Sequence, residues 1–286
     1  MLAGAKEIVL DDMCPMAGPK HYLRHLRNIS FVSSIHWNTT KLSLNKCRLA
    51  YLDIEIACRY PMLESFSIAD NSMEYLSPRL ILCLSTLRHL DISGNMLCLM
   101  NTRNSSHFKT LLRNLPVLQN VSLAGNRLTS LPATFFASNC ALETIDLSIN
   151  ALEQVRVQLS HLKRLTTLNL SDNHIGRLDG TSMDTLFSII RLRNIKIELR
   201  GNPLACKMCD DLESVQWLVN MKQFLSNNHD VTCLSENDQV LAIDGQTIIT
   251  VQDTCERTKR IIIWTTVGCV TVCLSITLLA LFKRRV

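Results

Sequence analysis

Four stretches of this 286-residue chain repeat one pattern: LRHLDISGNML from Leu87, LQNVSLAGNRL from Leu118, LETIDLSINAL from Leu142 and LTTLNLSDNHI from Leu165. Each fits L-x-x-L-x-L-x-x-N-x-L. Two looser copies are LESFSIADNSM from Leu63 and NIKIELRGNPL from Asn194, where Asn replaces the first leucine. The earliest copy, TTKLSLNKCRL from Thr39, carries cysteine at the Asn position. The ladder positions are therefore Cys47, Asn71, Asn95, Asn126, Asn150, Asn173 and Asn202, spaced 24, 24, 31, 24, 23 and 29 residues apart. A nearly fixed period over seven copies restricts the chain to a stacked, quasi-one-dimensional architecture.

The pattern has a physical cause. In each copy the fourth and sixth positions alternate within a short strand, so Leu168 and Leu170 point to one side, into a core. One copy cannot bury that face alone and stacks on its neighbours, which lines the strands up as a parallel sheet on a concave face. The Asn stands where the chain leaves the strand, and its amide can satisfy backbone groups buried in the turn. Cys47 can do so only weakly. The expected fold is an α/β leucine-rich-repeat solenoid of about seven repeats over residues 37–204, with Phe135 or Phe136 as a core spine in the return segment LTSLPATFF. The two long spacings read as local insertions. The first, CLMNTRNSSHFK, is expected as a surface loop. Residues 1–36 match no repeat and stay unassigned. They show neither an early basic region nor the apolar stretch of a secretory leader, because Asp11 and Asp12 interrupt the one candidate.

Near the other end, Ile261 to Phe282 are 22 residues without a charge. As a helix they extend about 33 Å, enough for a hydrocarbon core of about 30 Å. Residues 261–282 are therefore predicted to form a transmembrane helix with Trp264 as an interfacial anchor. Residues 283–286 are left as a short cytoplasmic tail. The net charge of +5 comes from six basic residues flanking this run: Arg257, Lys259, Arg260, Lys283, Arg284 and Arg285. Without them the chain is near neutral, and aromatic residues are only 5% of it, so composition gives no sign of a nucleic-acid partner. With three cations on each side, the charge rule does not orient the span.

Between repeats and span lie Cys206, Cys209, Cys233 and Cys255, around an expected amphipathic helix from Leu212 to Leu225. A redox C-x-x-C would need a thioredoxin-like context, and a four-cysteine zinc site usually has two close pairs where this set has one. A disulfide-bonded C-terminal cap over residues 205–256 fits an oxidising compartment, and it would shield the open end of the solenoid. It also orients the span: the cap lies outside and the C-terminus inside.

Repeats, then NPLAC-x-x-C, a helix carrying LESVQWL, two further cysteines and a membrane span resemble the membrane-proximal half of a Toll-like receptor. The resemblance covers residues 39–282. It implies bridges Cys206–Cys233 and Cys209–Cys255, although the first pair here is C-x-x-C where the family often has C-x-C. It also implies innate immune recognition of a protein or microbial ligand by the ectodomain, homo- or hetero-dimerisation with a related receptor, and a single-pass type I location facing the cell exterior or an endosomal lumen. The family's cytoplasmic TIR domain does not occur in this sequence. The expectation is therefore a fragment or a decoy form. A leucine-rich-repeat adhesion or co-receptor protein with a short tail is the alternative.

Sequons at Asn28, Asn38, Asn104, Asn120 and Asn169 are candidate glycosylation sites. Asn120 and Asn169 fall at outward strand positions, where glycans would block part of the concave face. The other outward residues, among them Lys41, Ser65, His89, Asp91, Asp146, Thr167, Lys196 and Glu198, form no aromatic or arginine cluster, so the main ligand site is not expected on this concave face. The resemblance implies lateral surfaces and dimer contacts near the cap instead. No catalytic or metal-ligating spacing and no phosphate-binding glycine loop appears. A non-enzyme with neither cofactor nor metal is expected.

Overall fold

A computed structural model describes the backbone of residues 6–11, 38–50, 52, 58–103, 105–191, 195–226, 231–237 and 239–283. It divides into two compact units: residues 1–203 with 221–231, and residues 204–220 with 232–286.

The first unit is built on eight parallel strands of three residues each, adjacent in sequence order. They are β1 (Glu7–Val9), β2 (Lys41–Ser43), β3 (Ser65–Ser67), β4 (His89–Asp91), β5 (Asn120–Ser122), β6 (Thr144–Asp146), β7 (Thr167–Asn169) and β8 (Lys196–Glu198). The register runs straight across them, from Ile8 opposite Leu42 to Leu168 opposite Ile197. Each strand's central side chain is buried, and so is the apolar residue two positions on from β2 to β8, such as Leu147 and Leu170. β1 is the strand that the repeat pattern left unassigned: Ile8 is 3% exposed and occupies the same register position as Leu42.

The two long spacings hold helices. Cys98–Arg103 (α2) and Ser105–Lys109 (α3) occupy the stretch expected as a loop; Pro78–Leu82 (α1) precedes them in the coil before. Met100 and Phe108 are buried, so the insertion adds to the core. Phe108 stacks on Phe135 at 4.8 Å between centroids, and Phe135 meets Phe136 edge-on at 5.0 Å. Both spine candidates are buried. The second spacing holds α4 (Gly180–Ile190), capped by Asp179, whose Oδ1 accepts the Ser182 N–H at 2.8 Å. Ser182 Oγ accepts the Val155 N–H from the preceding coil, and Arg156 donates to Asp179 Oδ2 at 2.9 Å.

Burial pushes the Asp179 carboxyl up, but hydrogen bonds from Ser182 and Arg156 and the guanidinium charge outweigh it and hold the group below its ordinary value. A lowered folded-state pKa means stability that is complete above the unfolded carboxylate range and lost as pH falls through the folded value. Asp179→Ala is expected to cost about 1 kcal/mol at neutral pH. Urea unfolding against pH should show that difference shrinking in acid.

In the second unit, α5 spans Leu212–Asn220, where the sequence predicted a helix reaching Leu225. The helix stops early because the next residues serve the first unit. Leu225 bridges Ile197, and the Ser226 N–H donates to the Ile197 carbonyl at 2.9 Å, satisfying the outer edge of β8. β9 (Thr232–Leu234) and β10 (Val240–Ala242) form an antiparallel pair. Leu234 also bonds the Leu204 and Cys206 backbone. Helix α6 (Gly245–Lys283) starts at Asp244, whose Oδ1 accepts the Thr247 N–H at 2.9 Å.

Candidate interaction surface

Every ladder asparagine from Asn71 to Asn202 is buried or nearly so. Asn150 is representative. Its Nδ2 donates to the carbonyls of Leu123, Leu147 and Ser148 at 3.0 Å, while its Oδ1 accepts the N–H groups of Asn126 and Leu128. One amide thus satisfies five backbone groups on two coils. Cys47, at the same position in the first recognised copy, is disulfide-bonded, a covalent role in place of the weak hydrogen bonding expected of it.

A second ladder lies on the outer face of the sheet. Asp91 Oδ1 accepts the Ser93 N–H and hydroxyl, Asp146 Oδ1 accepts the same pair from Ser148, and Asn169 Oδ1 accepts the Ser171 N–H. Asp11 and Asn45 extend it, accepting the N–H groups of Asn45 and Ala69 respectively. The signal is legible as D/N-x-S-x-N ending on the ladder residues Asn95, Asn150 and Asn173. These carboxylates fasten turns, which withdraws them from recognition of a partner. What remains on the outer face is mostly Ser, Thr and Asn, with Lys41 paired to Glu7 at 3.9 Å and His89, Lys196 and Glu198 further along.

The residue before each ladder position lies in the left-handed region: Lys46, Asp70, Gly94, Gly125, Ile149, Asp172 and Gly201 have φ between 52° and 71°. Their N–H groups continue the inter-coil bonding, as from Ile149 to the Ser171 carbonyl. A β-branched side chain is badly suited to φ 54°, and Ile149 is 62% exposed, so no burial compensates. Ile149→Gly is expected to raise stability by about 0.5–1 kcal/mol, the left-handed strain removed exceeding the entropy that glycine adds to the unfolded chain. Thermal unfolding would read it as a higher midpoint.

The structure joins Cys206 to Cys233 and Cys209 to Cys255. It also joins Cys58 to Cys83, a bridge that sequence reasoning missed. Their separation of 25 residues, about one period, was the available signal: residues one period apart lie on adjacent coils. Cys140 and Cys269 are free thiols. Among the sequons, Asn38 is exposed, and Asn120 and Asn169 lie on the outer face between neighbouring strands. Asn28 and Asn104 lie outside the described residues. A cavity of about 220 Å³ opens between return segments 129–131 and 152–157.

Among the described residues no helix is long and apolar enough to cross a membrane. The backbone of α6 continues to Lys283, but its contiguous described side chains end at Val272, so the run to Phe282 is only partly within them. No group of His, Cys, Asp and Glu suited to a metal ion occurs among the described residues.

A stacked parallel sheet with an asparagine ladder defines a leucine-rich-repeat protein, and two family models agree: leucine rich repeat over residues 116–175 and again over residues 164–187. The chain is 28% identical over 194 residues to Toll-like receptor 4 of Pinctada imbricata, covering 66% of this chain and 21% of that protein. In Mus musculus it is similar to the transforming growth factor beta activator LRRC32, at 23% identity over 50% of this chain and 28% of that protein. It is also similar to nephrocan of Mus musculus, at 27% identity over 59% of this chain and 30% of that protein. The matched region thus spans between a fifth and a third of these relatives. The crystal structure of human 5T4 (Wnt-activated inhibitory factor 1, trophoblast glycoprotein) shares the fold, with a TM-score of 0.62 at 24% identity, covering 72% of this chain and 75% of that one.

Proposed function

We propose that the chain is the cap-proximal part of a single-pass membrane receptor of Toll-like type, which recognises a protein or microbial ligand through its repeats and passes that event to the membrane through α6. One observation carries the reading: a repeat sheet is followed by a twice-bridged cap whose own helix runs without a break into the apolar stretch from Ile261. The apolar run to Phe282 is read as the span, with Trp264 in the interface. The outer face of the sheet has few groups for a strong contact, which favours lateral surfaces for ligand and for a second receptor chain. Asn38, exposed in its sequon, is the preferred glycan site among the described residues.

The similarity to LRRC32, nephrocan and 5T4 favours a second reading, an adhesion or co-receptor protein of the same architecture. One co-expression experiment separates the two. The full chain, given a secretion leader, is placed in cells with a Toll-like receptor and a reporter of its TIR-dependent signal. The first reading expects co-precipitation with that receptor and a reduced ligand response. An unaltered response without co-precipitation would sink it in favour of the second. Recovery of the chain in the alkaline-washed membrane pellet tests the span in the same cells.

A further inference from the structure

We propose that the cap docks directly on the phospholipid headgroup layer, through Met208 and a collar of three cations, Arg257, Lys259 and Arg260. The proposal rests on the reading of residues 261–282 as membrane-crossing. Helix α6 is continuous over Gly245–Lys283, so no loop separates the cap from the apolar run. Val251 and Cys255 are buried, whereas every described side chain of α6 from Glu256 onward is exposed, so the helix leaves the cap at Cys255. Ile261 follows six residues later, about 9 Å along the axis. The headgroup layer on each side of the hydrocarbon core is about 5–8 Å thick. The surface of the cap beside Cys255 is thereby brought to the level of the headgroups.

The disulfide Cys209–Cys255, with 4.6 Å between Cα atoms, sets the turn carrying Met208 at that same level. Met208 is 65% exposed. It is not a loose end: the Lys207 and Met208 N–H groups both donate to Asp211 Oδ2 at 2.9 Å, and Asp211 is 1% exposed. A rigid turn therefore presents a large apolar side chain beside the place where the helix meets the bilayer. Arg257, Lys259 and Arg260 are exposed, and their positions distribute them around the helix. The pair of Arg260 with Glu256 at 3.6 Å is solvent-exposed and weak, which leaves the collar available to phosphate oxygens. A soluble polyanion would satisfy the cations but not Met208, whereas a phospholipid surface supplies both phosphate and apolar contact.

The test uses the full chain in phosphatidylcholine nanodiscs, with an environment-sensitive fluorescent amino acid incorporated at position 208, 249 or 264. Ile249, exposed and about 18 Å up the helix from Ile261, is the aqueous reference. Docking predicts that a nitroxide lipid labelled at the headgroup quenches position 208 at least about twofold more than position 249. Combined Arg257→Gln, Lys259→Gln and Arg260→Gln should reduce quenching at 208 while leaving position 264 unchanged. If 264 is quenched by an acyl-chain label and 208 is quenched no more than 249, docking is overturned and the span stands. If 264 is not quenched, the membrane reading fails and docking fails with it.

Discussion

Asn150→Ala is expected to lower the stability of the solenoid by about 4 kcal/mol, among the largest effects of any single substitution in this chain. The reason is numerical. The Asn150 amide holds three carbonyls and two N–H groups. Truncation leaves the Asn126 and Leu128 N–H groups without an acceptor in a core sealed by Leu123, Leu147 and their neighbours, while the Leu123, Leu147 and Ser148 carbonyls each keep one other donor, Asn126 Nδ2, Asn173 Nδ2 and the Gly125 N–H. Each buried group left without a partner costs about 1–3 kcal/mol, moderated where the turn relaxes. Asn202→Ala provides the comparison, because at the last rung one N–H, of Ile175, loses its acceptor; the Leu170 carbonyl keeps Asn173 Nδ2, and the Leu199 carbonyl, with two lone pairs, is the less costly group to leave under-satisfied. Its loss should be clearly smaller. Urea unfolding followed by circular dichroism measures both. Equal effects at the two rungs would show that the ladder does not act through the number of groups it satisfies.

Removing the Cys209–Cys255 bridge by a double alanine substitution is expected to cost the cap about 4 kcal/mol, the loop-closure value for a 46-residue separation. The loss should stay local. In a solenoid each coil depends on its neighbours, so strands β3 to β6 should keep their hydrogen-exchange protection while α5 and the first turns of α6 lose theirs. The functional consequence follows from continuity: α6 holds both Cys255 and the apolar run, and the bridge is what ties that helix to the Met208 turn. Loss of protection spreading evenly into β3 to β6 would contradict a locally stabilised cap.

Much of this architecture was legible in the residues. The period near 24 carries the stacking, the alternation of Leu168 and Leu170 carries strand direction, and the Asn positions carry the buried amides. The cap could be seen as four cysteines in a spaced set. Other features were written less plainly. β1 was hidden because its copy stands apart from the period, and Ile8 and Leu10 alone are a weak signal. The insertion before β5 was expected as a loop, yet Met100 and Phe108 turn inward and make it part of the core. D/N-x-S was present in plain view, but only the hydrogen bonds show that those acids close turns.

By itself, the sequence determined which residues repeat and therefore which face must be buried, because burial of a periodic apolar set admits only one stacking. Only the tertiary structure decided what lies beside what across coils. It paired Cys58 with Cys83, linked Arg156 and Val155 to the cap of α4, and drew Leu225 out of the expected helix to join Ser226 at the edge of β8. The physical reason is that a repeat period identifies neighbours to within a few residues. Bridges, caps and edge contacts are settled at the scale of single atoms, by which backbone group still needs a partner.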